Sequence, residues 1–164
     1  MHHVGPFRAE DQHGTHITEN ILHGRVTVVH FFFTKCGDIC PVTTSNLKAL
    51  LDSMPSEVRV QVLSFSVQAD SDRIADLAQY ADERGDTDHR WHLLTGQRSE
   101  IDSLARHSFF VRLGDGATFG VKSIAHTESV LLVDWQGRLR GIYAGTLPLE
   151  MQRLHDDVDV LLRS

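Results

Sequence analysis

The pattern of apolar and polar residues predicts a sheet built around one strand that is buried on both faces. Residues 26–33 are continuously apolar apart from Thr27 and His30, which is typical of a central strand. In residues 58–67, valines alternate with Arg59 and Gln61, and this period of two predicts a second strand. Shorter apolar runs predict three more strands, at residues 91–94, 130–133 and 139–143.

Apolar residues at helical spacing predict four helices between and after these strands. Pro41 suits the first turn of a helix that runs to about residue 54 and stops before Pro55. The other helices are predicted at residues 70–84, 100–110 and 149–162. A strand–helix–strand unit, then a helix, then a β-hairpin and a last helix predict an α/β thioredoxin-like fold, with a central mixed sheet flanked by helices.

The N-terminal part predicts an extension of that fold. Residues 6–20 are polar, and residues 11–14 (Asp-Gln-His-Gly) look like the tip of a hairpin between two short extended pieces. A chain of 164 residues suits a single domain, 1–164. Within it we expect residues 1–6 to be flexible or to be left over from protein expression.

Composition and charge exclude several classes of function. With 41% hydrophobic and 23% charged residues the chain is globular in character. Its net charge of −6 argues against nucleic acid as a partner. No apolar run approaches the roughly 20 residues that span a bilayer, so we expect no membrane anchor in this chain. The first six residues lack the pattern of a signal peptide, which favours a cytosolic protein or one whose leader has been removed.

The two cysteines of the chain are the strongest indication of chemistry. Cys36 and Cys40 lie directly after the predicted central strand, at the start of the helix that begins near Pro41. The backbone N–H groups and positive end of a helix favour thiolate over thiol. A thiolate is both a better nucleophile and a better ligand for soft metals, so this turn is predicted to be chemically active.

The sequence around the cysteines resembles the F-T-x-C-P-D-I-C-P signature of the Sco/SenC copper chaperones. Residues 33–41 read Phe-Thr-Lys-Cys-Gly-Asp-Ile-Cys-Pro. Three further segments follow the family's order. Residues 11–14 resemble its D-x-x-G hairpin, and residues 91–96 resemble its W-x-x-L-T-G strand. Residues 124–127 (Ile-Ala-His-Thr), which lead into residues 131–134, are similar to its V-x-H-[ST] segment. The resemblance extends from about Phe7 to the C-terminal helix, and the cysteine motif is its most specific part.

The resemblance implies a thioredoxin-like copper protein that assembles the dinuclear copper site of cytochrome c oxidase. The family's ligands fall on Cys36, Cys40 and His126 of this chain. It implies bound Cu(I) or Cu(II), a copper-accepting partner that we expect to be cytochrome c oxidase subunit II, and a bacterial periplasmic or cell-envelope location. Two thiolates four residues apart lie on one side of a helical turn, and sulfur with imidazole suits Cu(I). Gly37 departs from the family, which usually has proline there.

Alternative interpretations of the cysteines stay open at the level of sequence. A thiol–disulfide oxidoreductase would use Cys36 as the attacking thiol and Cys40 to resolve the mixed disulfide. His126 discriminates between the two functions, because dithiol exchange needs no third ligand. A peroxidase fits less well, since the proline and threonine expected before a peroxidatic cysteine are missing before Cys36. The pair could also be an inert disulfide, although so short a loop would stabilise the fold little.

The other histidines and Asp38 have simpler interpretations. His30 lies within the apolar strand and is expected to be a hydrogen-bonded core residue. Asp38 is expected to cap the N–H groups of the following helix. Five histidines near the N-terminus could form an accessory metal site, although solvent-exposed side chains are the simpler interpretation: His2, His3, His13, His16 and His23.

Overall fold

A computed structural model describes residues 2–34, 39–56, 58–68, 72–84, 88–111 and 129–164. For residues 39–41 and 84 it describes the backbone alone. Strand β1 (Arg8–Glu10) pairs antiparallel with β2 (His16–Thr18), and the turn between them holds residues 11–14. The predicted N-terminal hairpin is confirmed. A 3₁₀ turn at Glu19–Leu22, which the sequence analysis did not predict, leads from the hairpin into the main sheet.

The main sheet of the described residues has five strands in the order β5-β4-β3-β6-β7. They are β3 (Val26–Phe32), β4 (Val60–Ser66), β5 (Trp91–Leu94), β6 (Ser129–Val133) and β7 (Leu139–Ala144). Strands β3, β4 and β5 are mutually parallel, whereas β6 runs antiparallel to β3 and β7 antiparallel to β6. The sheet is therefore mixed, and β3 lies at its centre with every residue buried, which confirms the predicted fold class.

Helices cover both faces of the sheet. Helix α1 (Ile39–Asp52), α2 (Ile74–Arg84) and α4 (Pro148–Leu162) pack on one face, where their apolar residues join Val26, Val28 and Phe32. Helix α3 (Arg98–His107) and the N-terminal hairpin pack on the other face against Val29 and Phe31. Alternate residues of β3 thus anchor two separate core layers, as the period of two in a strand requires.

Strand β4 is buried along its whole length, although its sequence alternates. All seven residues are buried because β3 and β5 flank the strand and helices cover both faces. Its polar side chains are consequently satisfied inside the protein: the Gln61 amide donates to the Ile21 carbonyl and to Thr27 Oγ1, at 2.8 and 2.9 Å. The Ser64 hydroxyl accepts from Trp91 Nε1 at 2.9 Å.

The first described residues lie along the β6–β7 turn. Val4 N–H donates to the Gly137 carbonyl at 2.8 Å, and Leu139 N–H donates to the His2 carbonyl at 2.9 Å. A ring nitrogen of His2 lies 2.9 Å from the Ser108 carbonyl oxygen. Within the described part of the chain, no helix has the length and apolar character needed to cross a membrane.

Candidate metal centre

Of the three predicted copper ligands, the structure describes only the backbone of Cys40. Cys36, Gly37, Asp38 and His126 lie outside the described residues. The backbone of Cys40 lies in the first turn of α1, which begins at Ile39. The site is therefore defined by the elements that precede and follow these residues.

The strands on either side of the predicted ligands are hydrogen-bonded neighbours. Strand β3 ends at Phe32, four residues before Cys36, and β6 begins at Ser129, three residues after His126. The two strands are antiparallel, with His30 opposite Val130, so the end of β3 lies beside the start of β6. At about 3.5 Å per residue, these short connections reach at most roughly 14 Å from the shared sheet edge. The topology therefore allows both segments to meet.

A buried carboxylate, Asp72, holds the chain where it leaves β3. Asp72 is 2% exposed, and its Oδ2 accepts hydrogen bonds from Thr34 N–H at 3.0 Å and from Ser66 Oγ at 2.8 Å. Its Oδ1 accepts from Thr34 Oγ1 at 2.6 Å, and its carbonyl accepts from Thr95 Oγ1 at 2.7 Å. These bonds join the ends of three parallel strands just before the cysteine segment.

The sequence analysis missed Asp72. The predicted helix at residues 70–84 put Asp72 in its first turn, where an acidic residue is ordinary, and the long-range partners of Asp72 have no local pattern. The only available indication was Thr34, which belongs to the cysteine motif and stands two residues before Cys36.

Helix α1 is fixed against the sheet by both apolar and polar contacts. Leu47 and Leu51 are fully buried in the core layer beneath the helix. The Asn46 amide donates to the Gly145 carbonyl at 2.8 Å, and Thr44 Oγ1 lies 3.4 Å from the Tyr80 hydroxyl. The helix that carries Cys40 in its first turn is therefore rigidly mounted.

His30 is a core residue, as the sequence predicted. Its Nδ1 lies 3.2 Å from Ser64 Oγ, and its ring stacks on Phe32 with centroids 5.8 Å apart. Among the residues that the structure describes, its Nε2 has no hydrogen-bond partner. Complete burial lowers the pKa of His30 from 6.5 to about 3, because an imidazolium cannot be solvated there. The side chain is consequently neutral at physiological pH and acts as a structural group.

The segments at residues 11–14 and 91–96 form one structural unit. The Gln12 amide donates to the Trp91 carbonyl, and Leu93 N–H donates to Gln12 Oε1, at 3.0 and 2.9 Å. Asp11 Oδ2 lies 3.2 Å from His92 Nδ1. Burial alone would raise the pKa of Asp11, but hydrogen bonds from the His13 and Thr15 amides and from His92 outweigh it and lower the pKa.

The described residues contain no group of three or more His, Cys, Asp or Glu side chains that could hold a metal ion. The N-terminal histidines accordingly do not form such a group within the part of the chain that the structure describes. His2 instead contacts Phe110, with ring centroids 4.7 Å apart.

Comparison with solved structures shows close similarity to Sco proteins. BsSco, a member of the Sco family of cytochrome c oxidase assembly proteins in which a disulfide switch was identified, superposes with a TM-score of 0.86 at 27% identity, over 99% of this chain and 94% of that one. A SCO1/SenC family lipoprotein from Bacillus anthracis gives a TM-score of 0.85 at 26% identity, over 97% and 94% of the two chains. Arabidopsis thaliana ScoI with copper bound gives 0.76 at 26% identity, over 97% of each chain.

A family model identifies the same group of proteins from the sequence. The model for SCO1/SenC matches residues 1–161, nearly the whole chain. Together with the thioredoxin-like fold, this match shows that the chain belongs to the SCO1/SenC family.

Proposed function

We propose that this protein is a copper metallochaperone that binds copper through Cys36, Cys40 and His126 and transfers it during assembly of cytochrome c oxidase. The observation that carries the proposal is the antiparallel pairing of β3 with β6, since it puts the end of β3 beside the start of β6, from which Cys36 and His126 are only four and three residues away. Family membership and the copper-bound Arabidopsis relative support copper as the cargo.

The donor set fits copper on chemical grounds. Two thiolates are soft ligands that favour Cu(I), and an imidazole adds a nitrogen that Cu(II) also accepts. Three ligands leave a position open, so thiolates of an acceptor can replace the donor's ligands one at a time. We propose that the acceptor is cytochrome c oxidase subunit II and that the protein acts in the bacterial cell envelope, a location supported by the related Bacillus anthracis lipoprotein.

A competition titration with a Cu(I) chelator tests the ligand assignment. We expect the reduced protein to bind one tight equivalent, and Cys36→Ser or Cys40→Ser to lose it, because a hydroxyl replaces a thiolate poorly. His126→Ala should weaken Cu(II) more than Cu(I). His107→Ala, which removes an exposed imidazole from α3, is the matched control. Full Cu(I) affinity in either serine variant would contradict the assignment.

The disulfide switch of the related BsSco favours thiol–disulfide exchange as a second candidate function. In this reaction the Cys36 thiolate attacks one sulfur of a partner disulfide and displaces the other as a thiolate. Cys40 then attacks the mixed disulfide, so that a Cys36–Cys40 disulfide forms and both partner cysteines are reduced. Exchange should survive His126→Ala, whereas copper transfer should not. An exchange assay on that variant therefore separates the two functions.

A further inference from the structure

A basic cavity opens at the edge of the sheet opposite the cysteine segment. It has a volume of about 510 Å³ and lies at the amino-terminal ends of β3, β4 and β5. Its walls come from the described residues that precede each strand: His23–Arg25 before β3, Ser56, Val58 and Arg59 before β4, and His89 and Arg90 before β5. Because these three strands are parallel, their amino-terminal ends lie together and their carboxyl ends carry the cysteine segment.

The charge of this cavity is opposite to that of the whole molecule. The chain has a net charge of −6, yet the described residues that line the cavity include no carboxylate. Buried Arg90 is neutralised by Asp88, whose Oδ2 lies 2.8 Å from Nη2. Asp88 approaches His89 only at 3.9 Å. The remaining positive charge of the cavity therefore belongs to the exposed side chains of Arg25 and Arg59, which precede two different strands.

Arg25 and Arg59 concentrate this charge. Val26 is paired with Val60, so these two arginines stand at adjacent positions, one step before the pair, on strands about 4.8 Å apart. Arg25 Nη1 lies 3.5 Å from Gln61 Oε1, and the Gln61 amide is itself held by Ile21 and Thr27. Throughout the described residues, neither guanidinium has a carboxylate within ion-pair distance. Adjacent like charges without a counter-ion destabilise a fold, and a bound anion would relieve their repulsion.

We propose that this cavity binds a phosphate group, carried either by a soluble phosphate monoester or by a lipid headgroup. A guanidinium offers a planar fork of donors that matches phosphate oxygens. A carboxylate presents two oxygens in one plane and is satisfied by one such fork, whereas the three terminal oxygens of a phosphate can face Arg25, Arg59 and an imidazole at once. The volume exceeds that of a phosphate ion and leaves room for an attached organic group. This site is independent of the proposed copper function.

NMR titration of the ¹⁵N-labelled full chain tests the site with three probes: inorganic phosphate, glycerol 3-phosphate, and phosphatidylcholine vesicles with or without phosphatidylglycerol. We expect saturable shifts in the amides of residues 23–25, 56, 58–59 and 89. Arg25→Gln with Arg59→Gln should weaken binding on the order of tenfold or more, equivalent to about 1.4 kcal/mol. Arg73→Gln with Arg106→Gln removes the same charge elsewhere and should leave binding unchanged.

The probes also separate the sources of the phosphate group. Saturable binding of glycerol 3-phosphate assigns a soluble monoester, and binding only to vesicles that contain phosphatidylglycerol assigns a lipid. Arg59→Glu provides a second test, because it supplies Arg25 with an internal carboxylate: it should abolish phosphate binding while the chain stays folded. Equal losses in both double variants, or no saturable shift with any probe, would overturn the proposal.

Discussion

Asp72 is the residue on which the geometry before the cysteine segment most depends. Its carboxylate accepts three hydrogen bonds, two from Thr34 and one from Ser66, and almost none of its surface reaches solvent. Buried polar groups are costly when they lose their partners. The position of Thr34, two residues before Cys36, therefore depends on a side chain far away in sequence.

Asp72→Ala should lower the free energy of unfolding by about 3 kcal/mol, because it leaves one buried N–H and two hydroxyls without their acceptor. The same variant should weaken Cu(I) binding, since Thr34 is no longer anchored. Asp76→Ala removes an exposed carboxylate that accepts a hydrogen bond from Arg73 N–H, and should cost about 1 kcal/mol or less. Urea unfolding and chelator competition measure both effects. Equal stability losses in the two variants would argue against a special role for Asp72.

His30 should make stability depend on pH. The folded-state pKa of His30 is about 3, below the usual 6.5. Between pH 3 and pH 6.5, this side chain is therefore protonated in the unfolded chain and neutral in the folded chain. The free energy of unfolding is therefore not reduced by His30 above pH 6.5. It falls as the pH decreases towards 3, with a slope of up to about 1.4 kcal/mol per pH unit. Urea unfolding between pH 7 and 5 should show a shallower slope for His30→Leu. His107→Gln is the matched control, and an unchanged slope in His30→Leu would refute this account.

At the scale of elements, the buried side chain of Arg90 holds the C-terminal end of α1 from outside the helix. Arg90 is 5% exposed, and its guanidinium donates to the carbonyls of Leu51 and Pro55 at 2.9 and 3.0 Å. Asp88 pairs with the same group and its pKa is lowered, chiefly by the hydrogen bond from Arg90. The helix that carries Cys40 at its start is thus fixed at its far end by a buried guanidinium whose partner, Asp88, is partly exposed.

Arg90→Met should cost about 3 kcal/mol of stability, because it removes the buried guanidinium that donates to the Asp88 carboxylate and to the carbonyls of Leu51 and Pro55. Arg106→Met on α3 is the control, since Arg106 is largely exposed and its ion pair with Asp102 lies on the surface. Urea unfolding would show the difference. A loss in Arg90→Met as small as that of the control would mean that α1 does not depend on this anchor.

Local sequence patterns predicted which elements exist and in what order. They predicted less well which faces of those elements are buried and which distant residues they contact. The burial of β3 and of the leucines of α1 could be predicted from their apolar sequence patterns. The burial of β4 could not, because its alternating sequence predicts one exposed face. In the structure, β5 and the helices bury both faces of β4. Helix α2 begins at Ile74 rather than at residue 70, and Asp72 ahead of it serves the sheet edge instead. Such long-range partners leave no periodic trace in a sequence.

The proposed ligands likewise differ in how far the sequence alone could predict them. The cysteine motif is visible in the sequence because its residues are adjacent, and His126 was identified only through the family resemblance, since a lone histidine has no local pattern. The pairing of β3 with β6 allows the two segments to meet and therefore supports the proposed ligand set. The basic cavity could not be predicted from the sequence either, because its two arginines are 34 positions apart and become neighbours only through the register of β3 and β4.

At the scale of the molecule, the central sheet separates two chemically different ends. The carboxyl ends of β3, β4 and β5 meet at Asp72 beside the cysteine segment, and their amino ends form the basic cavity. A seven-residue strand such as β3 spans roughly 23 Å between them. A phosphate group bound in the cavity would therefore be far from copper bound at the proposed site.

X-ray absorption spectroscopy of the copper-loaded full chain tests the central claim most directly. In the Cu(I) form, the extended fine structure should fit two sulfur ligands and one nitrogen ligand, with multiple scattering from an imidazole. His126→Ala should lose the imidazole contribution and keep both sulfurs, whereas His107→Ala should leave the spectrum unchanged. A wild-type spectrum without two sulfur ligands, or an imidazole contribution that persists in His126→Ala, would contradict the assignment of copper to Cys36, Cys40 and His126.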